Sequence, residues 1–163
     1  MSECVIQGRS GVLRETMRTG MKQIIESIII GALVMHAIGY LIFDVATADF
    51  YAANASPADL SRENNLQWSI ALGNLSLATL LALVIAGRSE TPSVAQGLST
   101  GAIVGLLVWL GVDFTFYGYE ERWNLALTIT DPMLAAIQMG LAGAIIAAIQ
   151  GRTARSAGAP IRE

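Results

Sequence analysis

The sequence is poor in charged residues, and this shortage decides the class of protein. Asp, Glu, Lys and Arg make up 14% of the 163 residues, whereas hydrophobic residues make up 53%. Soluble domains carry about 25% charged residues, so this chain has too few to cover a surface in water. The composition excludes a soluble globular domain and a disordered chain. It indicates a small integral membrane protein of one domain.

Cysteine and histidine are almost absent, which excludes several kinds of site. Cys4 is the single cysteine and His36 the single histidine. One cysteine cannot form an internal disulfide or a cysteine-based zinc site, and one histidine cannot form a multi-histidine metal site. The net charge of −3 argues against nucleic-acid binding. Because no nucleotide-binding loop or catalytic triad spacing is present either, we predict a non-enzymatic protein without a cofactor.

Four long uncharged runs predict the architecture. A membrane-spanning helix needs about 17–25 mostly apolar residues. The runs predict an all-α membrane protein, a four-transmembrane-helix bundle within residues 24–151, with spans near 24–45, 66–87, 92–115 and 132–151. Residues 1–23 form a basic segment, either an amphipathic helix on the membrane surface or only a flank that sets topology. Residues 152–163 form a polar tail.

Prolines mark the expected helix starts. Ser56-Pro57, Thr91-Pro92 and Asp131-Pro132 each place a capping side chain before a proline at the first helical position. The fourth helix is therefore expected to begin at Pro132. Residues 116–130 would then connect the third and fourth spans on the outer side.

The basic residues predict the orientation. Lysine and arginine are enriched in cytoplasmic loops of membrane proteins. Eight of the ten fall on one side of the four spans, and only Arg62 and Arg122 fall on the other. We therefore expect both termini in the cytoplasm. The eight are Arg9, Arg14, Arg18, Lys22, Arg88, Arg152, Arg155 and Arg162.

The two halves of the chain share a short pattern. The first and third spans each contain Gly-Ala-x-Val, at residues 31–34 and 101–104, and each ends in an acidic and aromatic cluster. Two tandem helical hairpins related by an axis along the membrane normal would explain the pattern. Chance similarity between apolar helices is the alternative.

Small residues predict which helices pack closely, since lipid gives no hydrophobic reward for helix association. Gly97, Gly101 and Gly105 follow one another at four-residue steps in the third span. Gly140 belongs to a similar face of the fourth span, with Ala136, Ala144 and Ala148. We expect these two faces to pack on each other. Dimerisation through the glycines is the alternative.

Three polar side chains are predicted to lie at one depth. Asn74 and Gln138 each precede an arginine at the helix end by 14 residues, and His36 lies about 18 Å into the first span. With Tyr40 as a neighbour, they form either an interhelical hydrogen-bond clamp or a binding site for a solute or proton. Ala32, four residues before His36, leaves pigment or haem ligation as a further alternative.

Acidic residues collect at the expected outer ends of the helices. Asp131 is expected to cap a helix, but Asp44 and Asp113 lie where the helix dipole disfavours negative charge. Ion pairs with Arg62 and Arg122 are the first interpretation, and a bound cation or a path for protons is the alternative. This outer acidic rim comprises Asp44, Asp49, Asp113 and Asp131.

A set of short motifs is spread along the chain. They are Gly39-Tyr40, Asp49-Phe50-Tyr51, Leu72-Gly73-Asn74-Leu75, Ser99-Thr100-Gly101-Ala102, Gly111 with Asp113-Phe114, Tyr117-Gly118, Asn124-Leu125 and Asp131-Pro132. In these motifs the chain resembles a family of small bacterial four-helix membrane proteins classed as a domain of unknown function. The resemblance covers roughly residues 25–150 and implies the fold, the topology and a bacterial inner membrane, but no reaction, substrate or cofactor. It also implies that Asp49, Asn74, Asp113 and Asp131 belong to a recurring pattern.

Three functional hypotheses follow. The first is a non-enzymatic membrane module, an accessory or scaffold subunit or a homo-oligomer, with the lipid bilayer and a larger membrane complex as partners. The second is a small permease for a solute, an ion or protons, which the polar side chains favour. The third is a pigment- or haem-binding membrane subunit, which depends on His36.

Overall fold

The computed structural model describes residues 2–55, 65–121 and 123–157, with side chains described in 20–55, 65–121 and 123–152. Within these ranges the chain forms five α-helices and one π-helical segment. They are α1 (Ser2–Gly39), the π segment (Tyr40–Ala46), α2 (Ala48–Asn54), α3 (Gln67–Arg88), α4 (Val94–Tyr119) and α5 (Leu125–Ala157).

Four helices are long and apolar enough to cross a membrane, which confirms the predicted all-α four-helix architecture. The stretches that meet this criterion are Gly20–Ala46, Gln67–Arg88, Val94–Tyr119 and Leu125–Arg152. Among the described residues the only β-type pairing is an isolated bridge between Ala55 and Trp123. The short helix α2 is not a span and belongs to the connection between the first and second spans.

Helix α5 lies at the centre of the bundle. It packs closely against α4 and also contacts α1 and α3, while α1 packs against α3. The core is built from alanine, methionine, leucine and isoleucine side chains of α1, α3 and α5, and the alanines let the backbones approach. Its buried members are Met35, Ala78, Leu81, Ala82, Ile85, Met139, Ala142, Ile146 and Ala147.

Glycines of α4 make the closest helix contact. A Cβ atom at Gly105 would lie 2.7 Å from the carbonyl oxygen of Ala135, and one at Gly101 would overlap the carbonyl of Met139. The α5 face that meets them is Ala135, Met139, Gly143 and Ala147. Gly140, predicted for this contact, contributes to it, since its Cα would lie 3.0 Å from a Cβ atom at Gly101, and the closest approaches are made one position away, at Met139 and Gly143. Small residues fill both neighbouring faces of α5, so spacing alone could not select between them.

The fourth span begins earlier than predicted. Helix α5 starts at Leu125, and Asn124 caps it, since its side-chain oxygen accepts a hydrogen bond from the Leu127 N–H at 3.0 Å. Pro132 lies inside the helix, so Asp131 is not an N-cap and residues 116–130 are not one connection. Proline is tolerated inside spanning helices because neighbouring groups re-satisfy the freed backbone.

Other predicted helix boundaries also differ from the structure. Helix α4 begins at Val94, two residues after Pro92, with Ser93 and Gln96 in a reciprocal capping box. Pro57 lies outside the described residues. The first helix already begins at Ser2, and α5 extends to Ala157, into the segment that the sequence assigns to a tail.

The two ends of the bundle differ in charge. The basic end comprises the start of α1 and the ends of α3 and α5, and it carries Lys22, Arg88 and Arg152. The acidic end, where the π segment and α2 lie, carries Asp44, Asp49 and Asp113. Every lysine and arginine in the described ranges belongs to the basic end.

Candidate functional site: a polar cavity and a buried carboxyl pair

A cavity of about 430 Å³ opens at the acidic end between α1, the π segment, α3 and α5. Its polar wall combines two carboxylates with an imidazole and several amides. Its apolar wall is largely aromatic. The polar lining residues are His36, Asp44, Asn65, Gln67, Asn74, Asp131 and Gln138, and the aromatic ones are Tyr40, Phe43, Trp109 and Trp123.

The three polar side chains predicted at one depth and their predicted neighbour all line this cavity. They are His36, Asn74, Gln138 and Tyr40. The amide nitrogen of Asn74 lies 3.3 Å from Nδ1 of His36. Because an amide nitrogen only donates, this contact requires the tautomer in which Nδ1 carries no proton. Gln138 lines the cavity and donates to the backbone oxygen of Met35 at 2.8 Å. Tyr40 is exposed on its rim.

The acidic rim divides into three environments. Asp44 and Asp131 line the cavity. Asp49 is exposed on α2 and does not line it. Asp113 does not line the cavity and has no exposed surface. Arg62 and Arg122, the predicted ion-pair partners, lie outside the described residues.

Asp113 is not at a helix end, in contrast to the prediction. Helix α4 continues to Tyr119, so Asp113 sits inside the helix, where it is buried. Neither of its carboxyl oxygens accepts a hydrogen bond from the described residues. The charged group that it faces is Asp131. A buried carboxyl group in this situation requires an explanation, since an unpaired buried charge is costly.

Tyr51 of α2 completes this cluster. Its hydroxyl donates a hydrogen bond to Oδ1 of Asp131. Burial raises the pKa of Tyr51 above its ordinary value, and the hydrogen bond to Asp131 and the charge of Asp131 raise it further. Phe43 packs edge-on against the Tyr51 ring with the centroids 5.8 Å apart. The phenol is therefore held as a neutral donor facing two carboxyl groups.

The connection that carries Tyr51 is tied to the start of α5. The side chain of Asn124 donates to the side-chain oxygen of Asn54 at 2.6 Å, and the backbones of Ala55 and Trp123 form the isolated bridge. Together with the π segment, these contacts hold α2 across the acidic end. The π segment closes through Thr47, whose N–H and hydroxyl both bond to Ile42 oxygen, and π-type turns are frequent at functional sites.

Three side chains with specific contacts or positions are not indicated by the sequence. Tyr51 lies within one of the family motifs, but the motif does not indicate its role, and no sequence pattern distinguishes Trp109. A second polar contact at the basic end was also missed: Gln150 donates to Ser27 at 3.2 Å and to the Ala82 carbonyl at 3.1 Å. A count from Gln138 gives no signal for Gln150, since 12 residues later a helix has turned about 120° beyond whole turns and presents a different face.

The donor set does not suggest a metal centre. Among the described residues no group of three or more His, Cys, Asp and Glu side chains is placed to hold a metal ion. Two carboxylates beside aromatic rings are instead the combination that binds organic cations, through charge and through the negative faces of the rings.

Comparisons with protein-family models, with curated proteins and with solved structures give no match to this chain. The family resemblance therefore rests on its sequence motifs alone, and the functional argument rests on the geometry of the cavity.

Proposed function

We propose that this chain is a non-enzymatic multi-pass membrane protein that binds a small organic cation, such as an amine or a quaternary ammonium compound. The observation that carries the proposal is the cavity at the acidic end, in which Asp44 and Asp131 share a wall with four aromatic side chains. It extends the first functional hypothesis, a non-enzymatic membrane module, by naming the class of ligand that the module would bind.

The size of the cavity agrees with such a ligand. Small-molecule pockets usually measure about 300–1,000 Å³ and combine an apolar lining with a few placed polar groups. A volume of about 430 Å³ suits a small solute. The amides of Asn74 and Gln138 would orient polar substituents, while the carboxylates would supply the charge.

The charge distribution around the cavity supports a cationic ligand over an anionic one. In the described residues no lysine or arginine lines the cavity or belongs to the acidic end. An anion would therefore meet two carboxylates without a compensating charge, which costs several kcal/mol in a desolvated site.

Transport of the bound cation is a second candidate function. It is favoured by the position of the cavity between helices that are themselves candidate spans, since solute sites of small transporters lie between spanning helices. We further propose a bacterial inner membrane, on the family resemblance, and cytoplasmic termini, on the distribution of basic residues. Homo-oligomerisation and membership of a larger membrane complex stay predictions.

Binding can be tested with the cavity's own tryptophans. Trp109 and Trp123 line the cavity, whereas Trp68 is exposed, so the Trp68→Phe protein reports mainly on the cavity. Its fluorescence is titrated with choline and with 3,3-dimethylbutanol, a neutral compound of the same shape. We expect saturable quenching by choline at concentrations where the neutral compound and sodium chloride have no effect.

Matched carboxylate variants locate the site. Asp44→Asn removes one cavity charge and should weaken choline binding about tenfold, which corresponds to about 1.4 kcal/mol. Asp49→Asn removes an exposed charge from α2 and should leave binding unchanged. Equal quenching by choline and the neutral compound, or no quenching by either, would contradict the proposal. The absorption spectrum of the purified protein tests the alternative of a pigment or haem bound through His36.

A further inference from the structure

The buried carboxyl group of Asp113 has a hydrogen-bonding demand that the described residues leave open. Asp113 has no exposed surface, and neither of its oxygens accepts a hydrogen bond. An ionised carboxylate offers only acceptors. Its neighbour Asp131, when ionised, also offers only acceptors, so two carboxylates cannot satisfy each other.

The surroundings of Asp131 differ from those of Asp113. Asp131 accepts the hydrogen bond of the Tyr51 hydroxyl and lines the cavity, while 6% of its surface is exposed. A hydrogen bond to an ionised carboxylate favours the charged form. Of the two groups, Asp131 is therefore the one favoured in the ionised form, and Asp113 is the one favoured in the protonated form.

A single proton supplies the missing hydrogen-bond donor and also removes the repulsion between the two carboxylates. Placed on Asp113, it supplies the donor that this pair lacks, and it removes the repulsion between two buried charges, of which only one normally stays ionised. Asp131 then accepts from Asp113 on one side and from Tyr51 on the other. The protonated oxygen of Asp113 thereby gains a partner, and Asp131 has a donor on each side.

We propose that Asp113 and Asp131 form a binding site for one exchangeable proton, held on Asp113 and shared with Asp131 beneath the cavity. The site is distinct from cation binding in the cavity, because Asp113 is not a lining residue. Asp131 belongs to both, so it gives the proton a route to the cavity.

Polar and titratable side chains from four other elements surround this pair or the cavity next to it. From α2 the pair meets the Tyr51 hydroxyl. The cavity that Asp131 lines is also lined by His36 of α1 and Asp44 of the π segment. Helix α3 lines the cavity with the amides of Gln67 and Asn74 and with no titratable side chain among its described lining residues.

Infrared spectroscopy of the purified protein tests the proposal directly. A protonated carboxyl group has a C=O stretching band that is separate from the amide and carboxylate bands. At neutral pH we expect such a band in the unaltered protein and its loss in Asp113→Asn, which keeps the shape and supplies a neutral donor. Asp49→Asn, which changes an exposed carboxylate, is the matched control and should retain the band.

Two outcomes would overturn the proposal. No protonated-carboxyl band at neutral pH would show that Asp113 is ionised and stabilised by a donor outside the pair. A band that survives in folded Asp113→Asn would place the proton on another carboxyl group.

A second variant covers the case in which Asp113→Asn does not fold. Tyr51→Phe removes one of the two donors to Asp131, so it should strengthen the bond from Asp113 and shift the band without removing it. An unchanged band in Tyr51→Phe would separate the proton from this cluster and contradict the proposal. The readout does not involve choline, so its result is independent of the cation-binding test.

Discussion

At the scale of single residues, His36 is the side chain whose replacement separates a structural role from a binding role. Glutamine keeps a donor and an acceptor at a similar distance from the backbone, so His36→Gln should preserve the contact with Asn74 and the fold. If the contact is only a clamp between α1 and α3, choline binding should also be preserved. If the imidazole itself contributes to the site, the fold should persist while binding is lost. Thermal unfolding and the fluorescence titration measure the two outcomes.

A leucine at the same position provides the control for His36→Gln. His36→Leu leaves the amide nitrogen of Asn74 without this partner and should lower the free energy of unfolding by about 1 kcal/mol, the usual value of an interhelical hydrogen bond in membranes. Equal stability of the two variants would show that the 3.3 Å contact contributes nothing.

Tyr51 gives a prediction about alkaline pH. Its pKa is raised in the folded protein by burial and by the adjacent carboxylate of Asp131. A raised pKa means that the folded state holds this proton more tightly than the unfolded state. The resulting stabilisation is complete below the ordinary value of 10.0 and is lost as the pH rises above it. Unfolding measured on both sides of that pH should therefore show a loss of stability in the unaltered protein.

Tyr51→Phe should lack this alkaline loss, because phenylalanine has no proton to release. Tyr119→Phe, which alters an exposed tyrosine, should retain it. If Tyr51→Phe and the unaltered protein lose stability equally above pH 10.0, a group other than Tyr51 causes the loss.

The residues of the cavity differ in how far the sequence could predict them. His36, Asn74 and Gln138 were brought to one level by counting residues, because a helix rises 1.5 Å per residue whatever surrounds it. The Tyr51 bond to Asp131 depends on how the chain folds back after the first span, over 80 positions of sequence. No local rule contains that information, so this contact could not be predicted.

At the scale of helices, the contact between α4 and α5 gives the sharpest prediction. Gly101→Leu should force the two backbones apart, because even a Cβ atom at this position would overlap the carbonyl of Met139. We expect a loss of about 1–3 kcal/mol in stability, typical of overpacking. Thermal unfolding in detergent measures the loss.

Gly111 of the same helix provides the matched control. A Cβ atom there would meet nothing within 4 Å, so Gly111→Leu should be neutral or slightly stabilising, as expected for replacing glycine in a helix. If both leucine variants are equally stable, the glycine face of α4 does not determine the packing.

Helix boundaries show where local signals fail. The Asp131-Pro132 pair resembles a helix start, yet α5 begins at Leu125 because Asn124 provides an earlier cap and the helix continues through the proline. The position of this helix start matters for the site. An Asp131 at an N-cap would be explained by the capping bond alone, whereas inside the helix Asp131 faces Tyr51 and Asp113. A sequence contains both signals without showing which one the fold uses.

At the scale of the whole molecule, the arrangement of helices and the separation of charge both follow from the alternation of four apolar runs with charged connections. Helices joined by short connections alternate in direction, so the start of α1 and the ends of α3 and α5 meet at the basic end. The four apolar runs were therefore sufficient to predict the architecture. The cavity was not predictable, since its lining combines α1, α3, α5 and the π segment, and composition gives no signal for the π segment.

The orientation of this charge separation gives the last prediction. Basic residues stay on the cytoplasmic side of a membrane, so the basic end should face the cytoplasm and the cavity should open outward. In a Cys4→Ala background, a cysteine at Glu121, on the connection between α4 and α5, should react with a membrane-impermeant maleimide on intact cells. A cysteine at Glu90, on the exposed connection between α3 and α4, should react only after permeabilisation.

The paired positions make the labelling experiment decisive because they lie at opposite ends of the same helix. Labelling of Glu90→Cys but not Glu121→Cys on intact cells would reverse the orientation and place the cavity on the cytoplasmic side. The proposed cation would then reach Asp44 from inside the cell, and protons would reach Asp131 and Asp113 from the same side. The orientation thus determines which compartment supplies the ligand and the proton, although neither binding site changes its geometry.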